Sequence, residues 1–166
     1  MNDYIITQTG MRSFVLTRNE VVLGDMNYVK WSPSKAAIQL ADGTSYRIEP
    51  RGFWQRTTEV LENGQPLYSF RFTWRKGIEI TSMRDAIPQK WFLKTKGFWK
   101  GTLQLLDENG QQLLFIEPRY RWKIFKTELL ITTSLPFEKT PKKELLLMVT
   151  GAAFHYQQRI AAAAAT

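Results

Sequence analysis

One run of ten residues near the C-terminal end of the chain, Leu145 to Phe154, constrains the fold most strongly because it contains no charged side chain. The longer segment from Glu144 to Arg159 is predicted to be a helix, and a helix that is apolar on every side belongs inside a protein or a membrane. Ten helical residues span only about 15 Å, which is half the thickness of a bilayer core. We therefore predict a helix that fills the core of the protein, and we predict no transmembrane segment.

The residues before this helix alternate between apolar and polar side chains, which is typical of half-buried β-strands. The clearest example is Tyr68 to Arg75, in which each aromatic residue is followed by a polar one. Turn-forming dipeptides separate several such runs, namely Asp42-Gly43, Asn63-Gly64 and Asn109-Gly110. Because these dipeptides supply the positive φ angles of tight turns, the pattern predicts a mainly β, antiparallel fold with three hairpins at these positions.

The alternation ends at Thr132, and the segment that joins the strands to the helix follows. Residues 134–139 are predicted to form a loop. Thr140 has the side chain of a helix cap, and Pro141 suits the first turn of a helix. The helix is therefore expected to begin at about residue 141.

Length and composition agree with one folded domain, since the chain has 166 residues of which 43% are hydrophobic. It has no cysteine, so a reducing, cytoplasmic location is the expectation. Residues 1–7 lack the positively charged start and the apolar run of a secretory signal. The net charge of +8 favours anionic partners such as phospholipid headgroups or nucleic acid.

The hairpins and the terminal apolar helix together resemble the tubby C-terminal-like superfamily, which includes the LURP-one-related proteins and the phospholipid scramblases. The matching segments are Leu40-Ala41-Asp42-Gly43, Leu106 to Gly110 and the helix from Glu144. The resemblance implies a closed antiparallel β-barrel of twelve strands wrapped around a buried C-terminal helix. It implies one domain over residues 1–166, with strands at about 11–132 and the helix at about 141–164. A barrel with fewer strands is the alternative, because twelve strands leave only about 5–8 residues for each.

Residues that support catalysis or metal binding are scarce. His155 is the only histidine, and without a cysteine or a second histidine beside it we predict a structural residue at the mouth of the core. The carboxylate pairs Glu59 with Glu62 and Asp107 with Glu108 lie beside hairpin turns and are expected to be solvated. The chain contains no glycine-rich phosphate loop and no set of metal ligands. We therefore predict no enzymatic activity, no metal and no cofactor.

Two stretches, residues 90–100 and 119–126, combine basic and aromatic residues without an acid. On a strand, Arg119, Arg121 and Lys123 would share one face and lie about 6.6 Å apart in succession along the outer wall of the barrel. Such a row would suit the phosphates of lipid headgroups. The second candidate group for binding anionic headgroups consists of Lys94, Lys96 and Lys100.

A competing interpretation treats the same cations as a solvated outer face. In that case Trp122 and Ile124 point into the barrel, while the basic side chains between them face water. The same interpretation applies to Lys94, Lys96 and Lys100.

The leading hypothesis is a non-enzymatic binding or membrane-tethering module for anionic phospholipid headgroups, located in the cytoplasm or at the periphery of a membrane. The superfamily resemblance implies this hypothesis, because members of the superfamily include phosphoinositide-dependent membrane tethers. An alternative is a β domain that binds RNA or single-stranded DNA, for which the exposure of Trp91, Trp99 and Trp122 is decisive. A second alternative is a carrier of a small apolar ligand, for which a core filled by a helix leaves no room. The sequence predicts no oligomeric state.

Overall fold

The structure is a computed structural model that describes residues 3–52, 56–97 and 101–165. In these ranges the chain forms twelve strands and two helices. The strands are β1 (Tyr4–Gln8), β2 (Ser13–Arg18), β3 (Val21–Tyr28), β4 (Ala36–Leu40), β5 (Ser45–Arg51), β6 (Thr57–Glu62), β7 (Gln65–Thr73), β8 (Gly77–Ser82), β9 (Lys90–Thr95), β10 (Leu103–Leu106), β11 (Gln112–Arg121) and β12 (Lys126–Thr133). The helices are α1 (Leu135–Glu138) and α2 (Lys143–Ala164).

The twelve strands form one closed barrel in which each strand pairs antiparallel with its neighbours in sequence. The barrel closes where β1 pairs with β12, with Tyr4 opposite Ile131 and Thr7 opposite Glu128. The predicted fold class, a closed antiparallel barrel with a C-terminal helix, is confirmed. The first strand already begins at Tyr4, ahead of the predicted start of the strands at about residue 11.

Tight turns at the predicted dipeptides make these short strands possible. Asn63 and Gly64 both have positive φ angles, 51° and 78°, and they join β6 to β7. Gly43 and Gly110 also have positive φ angles, and they lie in the β4–β5 and β10–β11 turns. The three predicted hairpins are therefore present, because these residues adopt the left-handed conformations that such turns require.

The interior of the barrel is filled by α2. Every residue of this helix from Leu145 to Phe154 is buried, as predicted, and its large apolar residues belong to the same core cluster as the inward side chains of the strands. Burying six large apolar side chains stabilises the fold by roughly 1.5–3 kcal/mol for each one. Gly151 allows the wall to approach the helix, since a Cβ atom there would lie 2.9 Å from the Cδ1 atom of Ile6.

The segment between β12 and α2 differs from the prediction. Residues 135–138 form the short helix α1 instead of a loop, because the Ser134 side chain accepts a hydrogen bond from the Phe137 backbone N–H and Phe137 is fully buried. Thr140 follows the end of α1, and its hydroxyl donates to the Pro136 carbonyl oxygen. It is therefore not the cap of α2, which begins at Lys143 after a left-handed Lys142 with no side-chain cap.

A cluster of polar side chains around Glu138 holds the N-terminal end of α2 against the barrel. The Glu138 carboxylate accepts hydrogen bonds from Lys143 at 2.8 Å and Thr133 at 2.7 Å, and it forms an ion pair with Arg18 at 3.4 Å. Partial burial of the carboxylate would raise its pKa, but the hydrogen bonds from Lys143 and Thr133 outweigh that effect and lower the pKa of Glu138. The cluster thereby links β2, β12, α1 and α2.

The antiparallel order places successive connections at alternating ends of the barrel. The connections β1–β2, β3–β4, β5–β6, β7–β8, β9–β10 and β11–β12 lie at one end, which we call the distal end. The C-terminal part of α2 emerges there, because Gln158 donates a 2.8 Å hydrogen bond to the Tyr120 hydroxyl near the end of β11. The other five hairpin connections and α1 lie at the opposite end, which we call the proximal end.

Gly77 at the start of β8 provides a test of the tight β8–β9 contact. Its φ angle is +76°, and a Cβ atom at this position would collide with the backbone carbonyl oxygen of Leu93 on β9. We expect Gly77→Ala to lower the free energy of unfolding by about 2–3 kcal/mol. Urea unfolding of the purified variant measures this loss.

Gly110→Ala is the matched control, because Gly110 has a φ angle of +79° and a Cβ atom added there would meet no other atom within 4 Å. It retains only the cost of the left-handed conformation, about 1 kcal/mol. Equal losses in the two variants would contradict a steric role for the Leu93 carbonyl.

Candidate functional site

The predicted basic row does not continue along one strand. Arg119 and Arg121 lie on β11, but the strand ends at Arg121 and Lys123 lies in the β11–β12 turn. Arg121 forms an ion pair with Glu128 at 3.3 Å, so one carboxylate lies beside the row. The predicted regular spacing of three cations on one face is therefore wrong, because the chain turns before it reaches Lys123.

The β11–β12 turn also contradicts the competing interpretation of this stretch. Trp122 and Ile124 were expected to point into the barrel if the cations were only a solvated face. Both side chains are exposed instead, and so is the neighbouring Phe125, whose φ angle is +51°. The alternation of inward and outward side chains stops where the strand stops, so these apolar groups face solvent.

The second basic group is only partly described. Lys94 lies on β9 and is half-buried, whereas Lys96 is exposed just beyond the end of that strand. The Lys96 ammonium group donates a 2.6 Å hydrogen bond to Gln112 and lies 5.4 Å from the centre of the Phe115 ring. Lys100 lies outside the described residues. Lys96 and Arg121 contact different neighbours, so these contacts do not join the two predicted groups into one site.

The sequence reasoning missed a cluster of exposed apolar side chains at the distal end. All six exposed large aromatic side chains of the described residues lie there, in or beside the connections. We use the name aromatic crown for the most exposed apolar residues of this end, which are Met11 (91% exposed), Trp31 (85%), Trp74 (94%), Trp122 (80%) and Phe125 (86%). They come from four different connections, so only closure of the barrel brings them to one end.

Charge is separated along the barrel axis. The described parts of the distal connections contain eight cations and no carboxylate; the cations are Arg12, Lys30, Lys35, Arg56, Arg75, Lys76, Lys96 and Lys123. The five proximal hairpin connections and the segment 134–142 between β12 and α2 contain six carboxylates, Glu20, Asp42, Asp85, Asp107, Glu108 and Glu138, and three cations, Arg84, Lys139 and Lys142. The residues of the aromatic crown thus lie in connections whose described charged residues are all cations. Lys30 illustrates the arrangement, because its ammonium group lies 5.0 Å from the centre of the Trp31 ring.

A cavity of about 660 Å³ opens at the same end, between α2 and the β1–β2 and β3–β4 connections. His155 forms part of its wall, and the centre of its ring lies 4.1 Å from that of Phe14 and 6.1 Å from that of Tyr28. Burial, with a smaller contribution from the positive charge of Arg159, lowers the pKa of His155 to about 4. The imidazole is therefore neutral near pH 7. Its Nδ1 atom is buried without a hydrogen-bond partner among the described residues.

The carboxylates considered as catalytic candidates have structural partners. Glu59 forms an ion pair with Arg51 at 3.4 Å, and Glu62 forms one with Arg84 at 2.8 Å. The Asp107 carboxylate accepts backbone hydrogen bonds at 2.9 Å and 2.8 Å within the β10–β11 turn. Glu59 is buried, so the expectation of solvation is wrong for this residue. Its carboxylate is retained inside the wall because the nearby guanidinium offsets part of the cost of burial.

Three further observations bear on the hypotheses. Trp91 is buried, Trp122 is exposed, and Trp99 lies outside the described residues. Across residues 3–52, 56–97 and 101–165, no helix is long and apolar enough to cross a membrane. The same ranges contain no group of three or more histidine, cysteine, aspartate or glutamate side chains arranged to hold a metal ion.

Comparisons of the chain with protein-family models, with curated proteins and with solved structures find no match. The geometry of the distal end therefore defines the candidate site. That end combines exposed aromatic rings, cations without carboxylates in its described connections, and a cavity beside the last turns of α2.

Proposed function

We propose that the protein is a non-enzymatic module that docks on anionic phospholipid membranes through its distal end. The observation that carries this proposal is the coincidence of the aromatic crown with eight cations and no carboxylate in the described distal connections. Tryptophan side chains favour the membrane–water interface, because the ring is apolar and its N–H group still reaches polar partners. Basic residues near an anionic surface each contribute about 1 kcal/mol.

The exposed rings and the cations of the distal end support each other in binding a membrane. Stable peripheral binding takes two signals, such as inserted apolar groups together with a basic patch. In the distal end the rings project from connections that also carry the cations, as in Trp74 followed by Arg75 and Lys76. The six carboxylates at the proximal end are repelled by an anionic membrane. The charge separation therefore orients the barrel with its distal end toward the membrane surface.

Three parts of the sequence hypothesis belong to this proposal. Arg119, Arg121 and Lys123 lie at or beside the distal end and extend its positive surface, although they do not form a regular row. The resemblance to tubby C-terminal-like proteins supports a membrane-tethering role, since some members of that superfamily tether membranes. The proposal also places the protein in the cytoplasm at the periphery of a membrane, because the cytoplasmic leaflet carries anionic lipid headgroups. The absence of cysteine fits this reducing compartment.

The experiment compares the wild-type protein with a Trp74→Gln/Trp122→Gln variant in vesicle co-sedimentation. Vesicles contain either phosphatidylcholine alone or phosphatidylcholine with phosphatidylserine, at low and at moderate salt. We expect the wild type to bind the anionic vesicles preferentially and more weakly as salt increases. Because both rings are exposed, we expect the variant to remain folded and to lose at least about tenfold in affinity.

Met83→Gln/Ile87→Gln is the matched control, because both side chains are exposed but lie in the β8–β9 connection at the proximal end. This variant should bind vesicles as the wild type does. Equal binding of neutral and anionic vesicles by the wild type, or full binding by the Trp74→Gln/Trp122→Gln variant, would contradict docking through the distal end.

Binding of single-stranded nucleic acid is the second candidate function, and the exposure of Trp122 favours it. Exposed rings can stack on bases while neighbouring cations contact phosphates. Adding oligothymidylate or oligouridylate to the same series of proteins separates the two functions. Binding of an oligonucleotide that needs Trp74 and Trp122, in the absence of binding to anionic vesicles, would replace the membrane proposal.

A further inference from the structure

The distal cavity has the size and the lining of a small-molecule site. Its volume of about 660 Å³ lies within the range of about 300–1,000 Å³ that is usual for such sites. Phe14 and Tyr28 form an apolar wall, and Trp31 and Met11 border the opening. The barrel core below is filled by α2, so the cavity is a separate space at the mouth and not a remnant of an empty barrel.

The polar groups of the cavity point to an anionic ligand. Its lining includes three cations, Arg12, Lys30 and Arg159, and no carboxylate among the described residues. Arg159 is held in place because it donates to the Pro33 carbonyl oxygen, and its guanidinium lies 5.8 Å from the centre of the Tyr156 ring. Cations at the rim of an apolar cavity attract a charged head group while the walls accept an apolar body.

His155 completes the apolar wall of the cavity. Its Nδ1 atom is buried, so this nitrogen does not face the open space of the cavity. The ring packs against Phe14 at a tilt of 37° and belongs to the cavity lining. The neutral imidazole therefore extends the apolar wall that Phe14 and Tyr28 form.

We propose that this cavity binds a single anionic amphiphile, with its apolar chain against Phe14, Tyr28 and His155 and its carboxylate or phosphate at Arg12, Lys30 and Arg159. This inference goes beyond docking on a membrane surface, because it assigns a site for one molecule that is also available in the absence of a bilayer. The head group comes either from a free fatty acid or from a monoacyl phospholipid. The two sources share the same chemistry, and the ligands used below distinguish them.

Isothermal titration calorimetry tests the site with three ligands, each below its critical micelle concentration and without vesicles. The ligands are oleate, oleoyl lysophosphatidate and the uncharged oleyl alcohol. We expect saturable binding of at least one of the two anions, and at least tenfold weaker binding of oleyl alcohol. Stronger binding of oleate assigns the site to a free fatty acid, and stronger binding of oleoyl lysophosphatidate assigns it to a monoacyl phospholipid. Failure of both anions to bind overturns the proposal.

Ala162→Trp is the variant that blocks the cavity, because Ala162 lines it and is exposed on α2. Ala161→Trp is the matched control, because Ala161 is exposed on the same helix and is not part of the lining. We expect Ala162→Trp to reduce amphiphile affinity at least tenfold, and Ala161→Trp to leave it within twofold of wild type. Equal affinities in these two variants overturn the proposal.

A second variant, Arg12→Gln/Lys30→Gln, removes two of the three cations and retains the shape of the cavity. It should weaken the binding of the anions at least tenfold and leave the weak binding of oleyl alcohol unchanged. The Trp74→Gln/Trp122→Gln variant should retain wild-type amphiphile affinity, because neither residue lines the cavity. Loss of vesicle binding and loss of amphiphile binding are therefore distinguishable, and either proposal can fail without the other.

Discussion

Leu147→Ala is expected to lower the free energy of unfolding by about 2–5 kcal/mol, which is a large part of the stability of a domain of this size. Leu147 is completely buried in α2, inside the barrel. The substitution removes apolar surface from the core and leaves a cavity that the closed wall cannot readily fill, because the strands are held by pairing on both sides. Chemical unfolding monitored by tryptophan fluorescence and by circular dichroism measures the loss.

Leu135→Ala is the matched control for this substitution. Leu135 is the first residue of α1 and is exposed, so the same change of side chain removes little buried surface. We expect its effect to stay within about 0.5 kcal/mol of wild type. A loss at Leu147 as small as that at Leu135 would contradict the role of α2 as the core of the barrel.

The second large effect is the pH dependence that His155 contributes to stability. Burial among Phe14, Tyr28 and Phe154, together with the charge of Arg159, lowers its pKa from 6.5 to about 4. Between these two values the unfolded chain binds a proton that the folded protein does not bind. The stability contributed by His155 is therefore complete above about pH 6.5 and decreases as the pH falls toward 4.

The expected size of this decrease is about 2–3 kcal/mol between about pH 7.5 and about pH 4.5. Other groups also titrate in this interval, so the relevant quantity is the difference between wild type and His155→Phe. Phenylalanine has nearly the same shape and stacks on the same neighbours, but it has no proton to gain. We expect wild type to lose about 2–3 kcal/mol more than His155→Phe over this interval, and parallel pH profiles would show that the imidazole is not buried in the neutral form.

Two features of the fold were predictable from the sequence because their causes are local. The uncharged run from Leu145 to Phe154 cannot form a stable surface helix, and it is too short to cross a bilayer. Burial inside the protein is therefore the remaining possibility. The dipeptides at Asn63-Gly64 and Asn109-Gly110 specify turns through their own backbone preferences. Neither inference requires knowledge of distant parts of the chain.

The start of α2 and the course of the β11–β12 turn were not predictable in the same way. Thr140 and Pro141 have the side chains of a helix start, but the Thr140 hydroxyl bonds to the Pro136 carbonyl of the preceding α1, and α2 begins at Lys143. Extending the β11 pattern through Lys123 failed because period-two alternation does not show where a strand ends. The exposed Trp122 lies just beyond that end.

Which connections share an end of the barrel depends on the number of strands between them, and this dependence explains why the sequence did not predict the aromatic crown. In an antiparallel barrel each additional strand moves every later connection to the opposite end. Missing one strand between two of these connections, for example β6 (Thr57–Glu62) between Trp31 and Trp74, would place their turns at opposite ends. The alternating pattern was extended through Arg75 and through Lys123, past the ends of β7 and β11. It carried no information about which end the turns near Trp31, Trp74 and Trp122 share.

Sequence patterns alone thus specify the elements of this protein: a helix with a ten-residue uncharged run that must be buried, short alternating strands, and turns with positive φ angles. Closure of the barrel decides the rest. It brings Trp31, Trp74 and Trp122 from separate hairpins to one end, separates the cations from the carboxylates, and forms the cavity between α2 and two connections. The physical reason is that the apolar run and the turn dipeptides act over a few residues. Which connections lie at the same end of the barrel depends on the pairing of all twelve strands.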